Sequence, residues 1–65
     1  MNVIVNGQPI EVDFGSTVNH LLASRKLSPD KVAVELNRRL LVTTKYDTAI
    51  QDGDEIEIVT FVGGG

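Results

Sequence analysis

The chain has 65 residues, nine acidic against six basic side chains for a net charge of −3, and no cysteine, so it is one small domain with a modest core, held by packing rather than by disulfides or thiolate–metal sites. A hydrophobic fraction of 42% with 23% charged residues is ordinary for a folded soluble protein, and with Arg25-Lys26 and Arg38-Arg39 as the only basic pairs there is no stripe for nucleic acid. No apolar run approaches the roughly 20 residues that span a bilayer, and Met1–Val5 lacks the basic flank and length of a secretion signal, so a cytoplasmic protein without membrane or nucleic-acid partners is expected.

Met1 to Asn6 is rich in β-branched residues and reads as a strand. Asn6-Gly7 tolerates positive φ at both positions and predicts a tight hairpin. Pro9 to Asp13 is the return strand, with Ile10 and Val12 on one face. Gly15-Ser16-Thr17 marks a helix start, with Ser16 or Thr17 as cap and Phe14 placed to pack back onto the helix. Val18, Leu21, Leu22 and Arg25 fall at helical spacing, and Arg25-Lys26 occupy the last turn, where positive charge suits the helix dipole. Ser28-Pro29-Asp30 ends the helix.

Val32 to Leu36 is a third strand with Val32, Val34 and Leu36 on one face; Asn37-Arg38-Arg39 is a turn, and Leu40-Leu41-Val42 starts a short fourth strand. Thr43 to Ile50 has no clear period and reads as a loop with one helical turn near Lys45–Asp47. Gln51-Asp52-Gly53-Asp54 is a tight turn with Gly53 at positive φ. The last strand begins at Glu55. The order strand–strand–helix–strand–strand–strand predicts an α+β domain, a mixed sheet of four to five strands with one main helix on one face. The first and last strands are expected side by side and parallel in its middle. The domain is expected to span residues 1–60, with 61–65 as a flexible C-terminal tail.

The last strand and this tail carry the functional signal. Alternation with Ile56 and Ile58 inward puts Val59 and Phe61 outward with Glu55 and Glu57. Apolar side chains there, beside a mobile end, suggest a docking surface, against the simpler reading of a bulge or an edge. Gly63-Gly64-Gly65 is expected to present an open terminal carboxylate on a thread narrow enough for a constricted channel; the plain alternative is a frayed end. Such an arm reaches roughly 15 Å at about 3.3–3.6 Å per residue, enough to enter a recessed site on another protein. Asp47, Asp52, Asp54, Glu55 and Glu57 precede the tail, and an acidic face around the working end would favour a basic partner.

No constellation for catalysis accompanies it. His20 lies off the apolar stripe and reads as a solvated residue. Ser16, Ser24 and Ser28 lack a histidine-plus-acid arrangement. Asp52 and Asp54 bracket a glycine without the rest of a calcium loop, so no metal site is expected. Gly63–Gly65 is not followed by the helix and lysine of a phosphate loop. Any reacting group is then the chain's own terminus.

Val32-Ala33-Val34-Glu35-Leu36-Asn37, Leu41-Val42, Asp52-Gly53-Asp54-Glu55-Ile56-Glu57-Ile58-Val59 and the closing Phe61-Val62-Gly63-Gly64-Gly65 resemble the ThiS family of thiamine-biosynthesis sulfur carriers over nearly the whole chain. The resemblance implies a ubiquitin-like β-grasp fold and a stoichiometric carrier rather than an enzyme. It implies that an ATP-dependent, ThiF-like activating enzyme adenylates the Gly65 carboxylate, with ATP bound by that partner and no cofactor on the carrier. A persulfide donor then converts Gly65 to a thiocarboxylate, and a ThiG-like thiazole synthase takes the sulfur for the thiazole ring of thiamine. Gly63 and Gly64 would form the thread, and Phe61 and Val62 would dock, beside the Val59 that alternation turns outward. Related readings are the small subunit of molybdopterin synthase, a protein modifier joined through Gly65, and a passive interaction domain.

Overall fold

The computed structural model describes residues 1–61. Strand β1 (Asn2–Val5) pairs antiparallel with β2 (Gln8–Glu11); helix α1 (Val18–Ser24) follows. Then come a 3-10 turn at Pro29–Lys31, strand β3 (Val32–Leu36), β4 (Arg39–Leu41), a second 3-10 turn at Thr43–Lys45, and β5 (Glu55–Thr60). The sheet has five strands in the order β2-β1-β5-β3-β4. The first and last strands are parallel neighbours, with β5 in the centre. This is the ubiquitin-like β-grasp.

Both hairpins turn on two residues at positive φ. Asn6 and Gly7 have φ of 50° and 80° between the closing pair Val5 and Gln8. Asn37 and Arg38 have φ of 52° and 69° between Leu36 and Arg39. Such turns match the right-handed twist of the strands, but an ordinary side chain in the left-handed region costs about 1–2 kcal/mol. Arg38 gains little in exchange, since its ion pair with Glu55 is long at 3.8 Å and solvated. Arg38→Gly is therefore expected to stabilise the domain by up to about 1 kcal/mol, read as a higher denaturation midpoint with an unchanged slope.

Helix α1 is capped by Thr17, whose Oγ1 accepts from the His20 N–H at 3.1 Å while His20 Nδ1 accepts from the Thr17 N–H at 3.1 Å. His20 is thus exposed, as expected, yet completes a reciprocal capping box. The helix ends at Ser24, two residues earlier than its spacing predicts. Lys26 enters the left-handed region at φ 58°, and the N–H groups of Lys26 and Leu27 return to the carbonyls of Ala23 and Leu22. This closure seats Leu27 against the core, and Arg25 and Lys26 lie beyond the last turn rather than in it.

The core lies between the inner face of the sheet and α1: Val3 and Val5 of β1, Val18, Leu21 and Leu22 of α1, Val32 and Val34 of β3, Ile56 and Ile58 of β5. Tyr46 and Ile50 complete it from the connection after β4. That segment is no free loop: the Val18 and Asn19 N–H groups donate to the carbonyls of Thr48 and Tyr46, and Ile50 N–H donates to Ser16 O at 2.8 Å. Its single turn of helix falls at Thr43–Lys45, just before the expected position. Phe14 does not pack onto α1. It sits at the tip of a turn closed by Ser16 N–H to Asp13 O, with Gly15 at φ 88°, and is 82% exposed. Among the described residues no helix is long and apolar enough to cross a membrane.

Candidate functional site

The site grows from the way β5 is held. Its first half is gripped on both sides, by β1 through Ile4–Glu55 and Val5–Ile56 and by β3 along its length. β1 then ends, and the side chain of Asn6 continues the ladder. Ile58 N–H donates to Asn6 Oδ1 at 2.7 Å, and Asn6 Nδ2 donates to the Ile58 carbonyl at 3.3 Å. Asn37 serves the start of the same strand: Glu55 N–H donates to its Oδ1 at 2.9 Å, and its Nδ2 donates to Asp54 Oδ1 at 3.0 Å. Two turn asparagines thus pin the central strand from its two neighbours. Sequence reasoning assigned them to turns alone; the polar side chain at the first left-handed position of each turn was the signal for more.

Past Ile58, β5 runs on beside β3 only, through Ala33–Val59 and Val32–Thr60. The last described tether is Phe61 N–H to the Lys31 carbonyl at 3.0 Å. Phe61, the last described residue, therefore lies at the end of the central strand, beyond the end of β1. Next to Lys31, the Asp30 carboxyl is held below its ordinary value, chiefly by the Ser28 hydroxyl and then by its own backbone N–H and Lys31.

Val59 and Phe61 stand where alternation puts them, each 59% exposed on the outer face. That face carries more apolar surface than expected. Leu40 on β4, opposite Glu35, is 68% exposed, and Val42 just after β4 is exposed as well. With Ala33 opposite Val59, they extend the patch from the root of the tail across β3 to the sheet edge. Leu40 and Val42 went unrecognised because a three-residue strand shows too little alternation to tell its faces apart. Val62, Gly63, Gly64 and Gly65 lie outside the described residues.

The expected acidic collar around the tail is corrected. Asp52 accepts from the Asn2 N–H at 2.8 Å and Asp54 from the Gln51 N–H at 2.7 Å, both where β1 and β5 begin. Asp47 accepts from Asn19 Nδ2 at 2.8 Å, near the start of α1. Six residues of β5, at about 3.3 Å each, carry the tail root away from them. Of the acidic residues preceding the tail, Glu57 is the one that stays on the outer face beyond the first residue of β5. Among the described residues no group of three or more His, Asp or Glu side chains is placed to hold a metal ion.

The model of the ThiS family matches residues 3–65. The sulfur carrier protein ThiS of Bacillus subtilis is 44% identical over 64 residues, covering 94% of this chain and 96% of that protein. A crystal structure of the thiamine biosynthesis protein ThiS from Geobacter metallireducens superposes with a TM-score of 0.78 at 40% identity, covering all of both chains. The thiazole synthase of Magnetococcus marinus is 38% identical over 66 residues; the whole chain is covered, but it spans only 20% of that protein. A second thiazole synthase, from Paramagnetospirillum magneticum, matches over the same share of its length. With its fold and nearly every residue accounted for by these matches, the chain belongs to the ThiS family.

Proposed function

We propose that the protein carries sulfur as a thiocarboxylate on Gly65 and delivers it to a thiazole synthase. The observation that carries this reading is the position of Phe61 at the end of the central strand, with Val59, Phe61, Leu40 and Val42 exposed on the face beside it. A partner that covers this patch receives the tail in the same encounter, so recognition and reach come from one surface.

The chemistry divides between the partners. A Gly65 carboxylate oxygen attacks the α-phosphorus of ATP in a ThiF-like activating enzyme, pyrophosphate leaves, and an acyl-adenylate forms. The terminal sulfur of a persulfide donor attacks the acyl carbon and AMP leaves. A thiol then cleaves the resulting acyl disulfide, freeing the thiocarboxylate and ending as a disulfide itself. Adenylation exchanges a carboxylate oxygen, a poor leaving group, for AMP, a good one, and dividing one hard step into easier ones is the gain of a covalent intermediate. The carrier contributes no catalytic side chain; Gly63 and Gly64 supply the narrow thread, and Phe61, Val62 and Val59 the docking. The two thiazole synthases that contain a region similar to the whole chain favour a thiazole synthase over a large molybdopterin synthase subunit as acceptor.

Phe61→Ala tests the docking surface. An aromatic anchor that becomes fully desolvated at the centre of an interface can cost about 2 kcal/mol or more when truncated. Affinity for the thiazole synthase of the same organism, measured by calorimetry, is expected to fall about tenfold or more, with thermal melting close to that of the wild type. A large loss of stability with unchanged affinity would place Phe61 in the core instead.

A further inference from the structure

The outer face holds one arrangement that folding alone disfavours. Glu35 on β3 and Glu57 on β5 are directly opposite in the antiparallel register, and both are exposed. Opposed side chains have Cβ atoms about 4.5–5.5 Å apart, and like charges so placed weaken the pairing. Among the described residues the one ion pair joins Arg38 to Glu55 at 3.8 Å; Arg38 borders the same hollow as Glu35 and Glu57 but pairs with neither. The row is closed by Leu40 beside Glu35, and the adjacent row toward the tail is Ala33 and Val59. On the other side the pair opens into a hollow shared with Ile4, Asn6, Arg38 and Glu55.

We propose that Glu35 and Glu57 together receive an arginine of the thiazole synthase, within the interface that covers Val59 and Phe61. This rests on the sulfur-carrier reading above and adds the chemistry of the partner's contact. A planar guanidinium with five donors can bridge two carboxylates at this separation, as a point-like ammonium does less well. The apolar rim shields the contact from water once the partner is seated, which strengthens it. Because the same face is continuous with the root of the tail, engaging the arginine sets the register in which the tail enters.

The test is the double variant E35Q/E57Q, which keeps shape and removes charge. Two effects of opposite sign are expected. Thermal melting rises, because the repulsion is gone, while affinity for the purified thiazole synthase of the same organism falls at least about tenfold. The wild-type affinity weakens as potassium chloride is raised, and the variant's affinity does so much less. Equal affinity of variant and wild type overturns the proposal, as does a lower melting temperature. A rise in wild-type melting with magnesium or calcium that the variant lacks would assign the pair to a metal and also overturns it. Failure of the wild-type protein to bind the synthase at all would remove the sulfur-carrier partner itself, a result distinct from binding that ignores the two glutamates.

Discussion

Deletion of Gly65 is expected to reduce thiocarboxylate formation by at least about a hundredfold and to leave thermal melting unchanged. The core is closed by Ile58, and the last described backbone tether is Phe61 to Lys31, so no described packing depends on the final residue. The proposed chemistry depends on it wholly. Losing one residue withdraws the carboxylate by about 3.3–3.6 Å, and misplacing a reacting atom by even about 1 Å can cost roughly a hundredfold. Gly64 would then bear a carboxylate of the same intrinsic reactivity in the wrong place. The measurement is the rate of thiocarboxylate appearance by intact mass, with a melt on the same sample. Wild-type rates from the truncated protein would mean that reach is not what Gly65 supplies.

Ile56→Ala produces loss of function by the opposite route. Ile56 is 1% exposed and lies in the central strand, paired with Val5 on one side and Leu36 on the other. Truncating a buried isoleucine costs about 2–5 kcal/mol, because the lost transfer energy is joined by a cavity that rigid neighbours fill only in part. A domain of this size has about 3–10 kcal/mol in total, at roughly 0.05–0.15 kcal/mol per residue. Chemical denaturation is expected to show a midpoint lowered by roughly half of the wild-type value, with part of the population unfolded at 37 °C. Activity falls with the folded fraction, whereas in the Gly65 deletion it falls while the protein stays folded.

The elements that were legible in the sequence are those with strong local chemistry. Asn6-Gly7 announced its hairpin because few dipeptides take two positive φ values. The alternation from Glu55 to Phe61 fixed which side chains face out, since a one-residue slip would bury Glu57 and expose Ile56. The central, parallel placement of β1 and β5 followed from element order and the long connection through α1. What stayed hidden depends on distant parts of the chain. Tyr46 and Ile50 enter the core from a segment without periodicity, held by hydrogen bonds to the start of α1. The acidic residues before the tail were misplaced because nearness in sequence was taken for nearness in space, and an extended strand separates such neighbours fastest. The Glu35–Glu57 juxtaposition needs the β3–β5 register, which a single strand cannot reveal.

The most direct test is intact-mass and C-terminal peptide analysis of the purified protein after incubation with ATP, the activating enzyme and a persulfide donor. Exchange of one oxygen for sulfur, confined to the peptide that ends in Gly65 and requiring ATP, is the expected result. An unchanged mass, or sulfur found elsewhere in the chain, would contradict a carrier whose terminus is the reacting group.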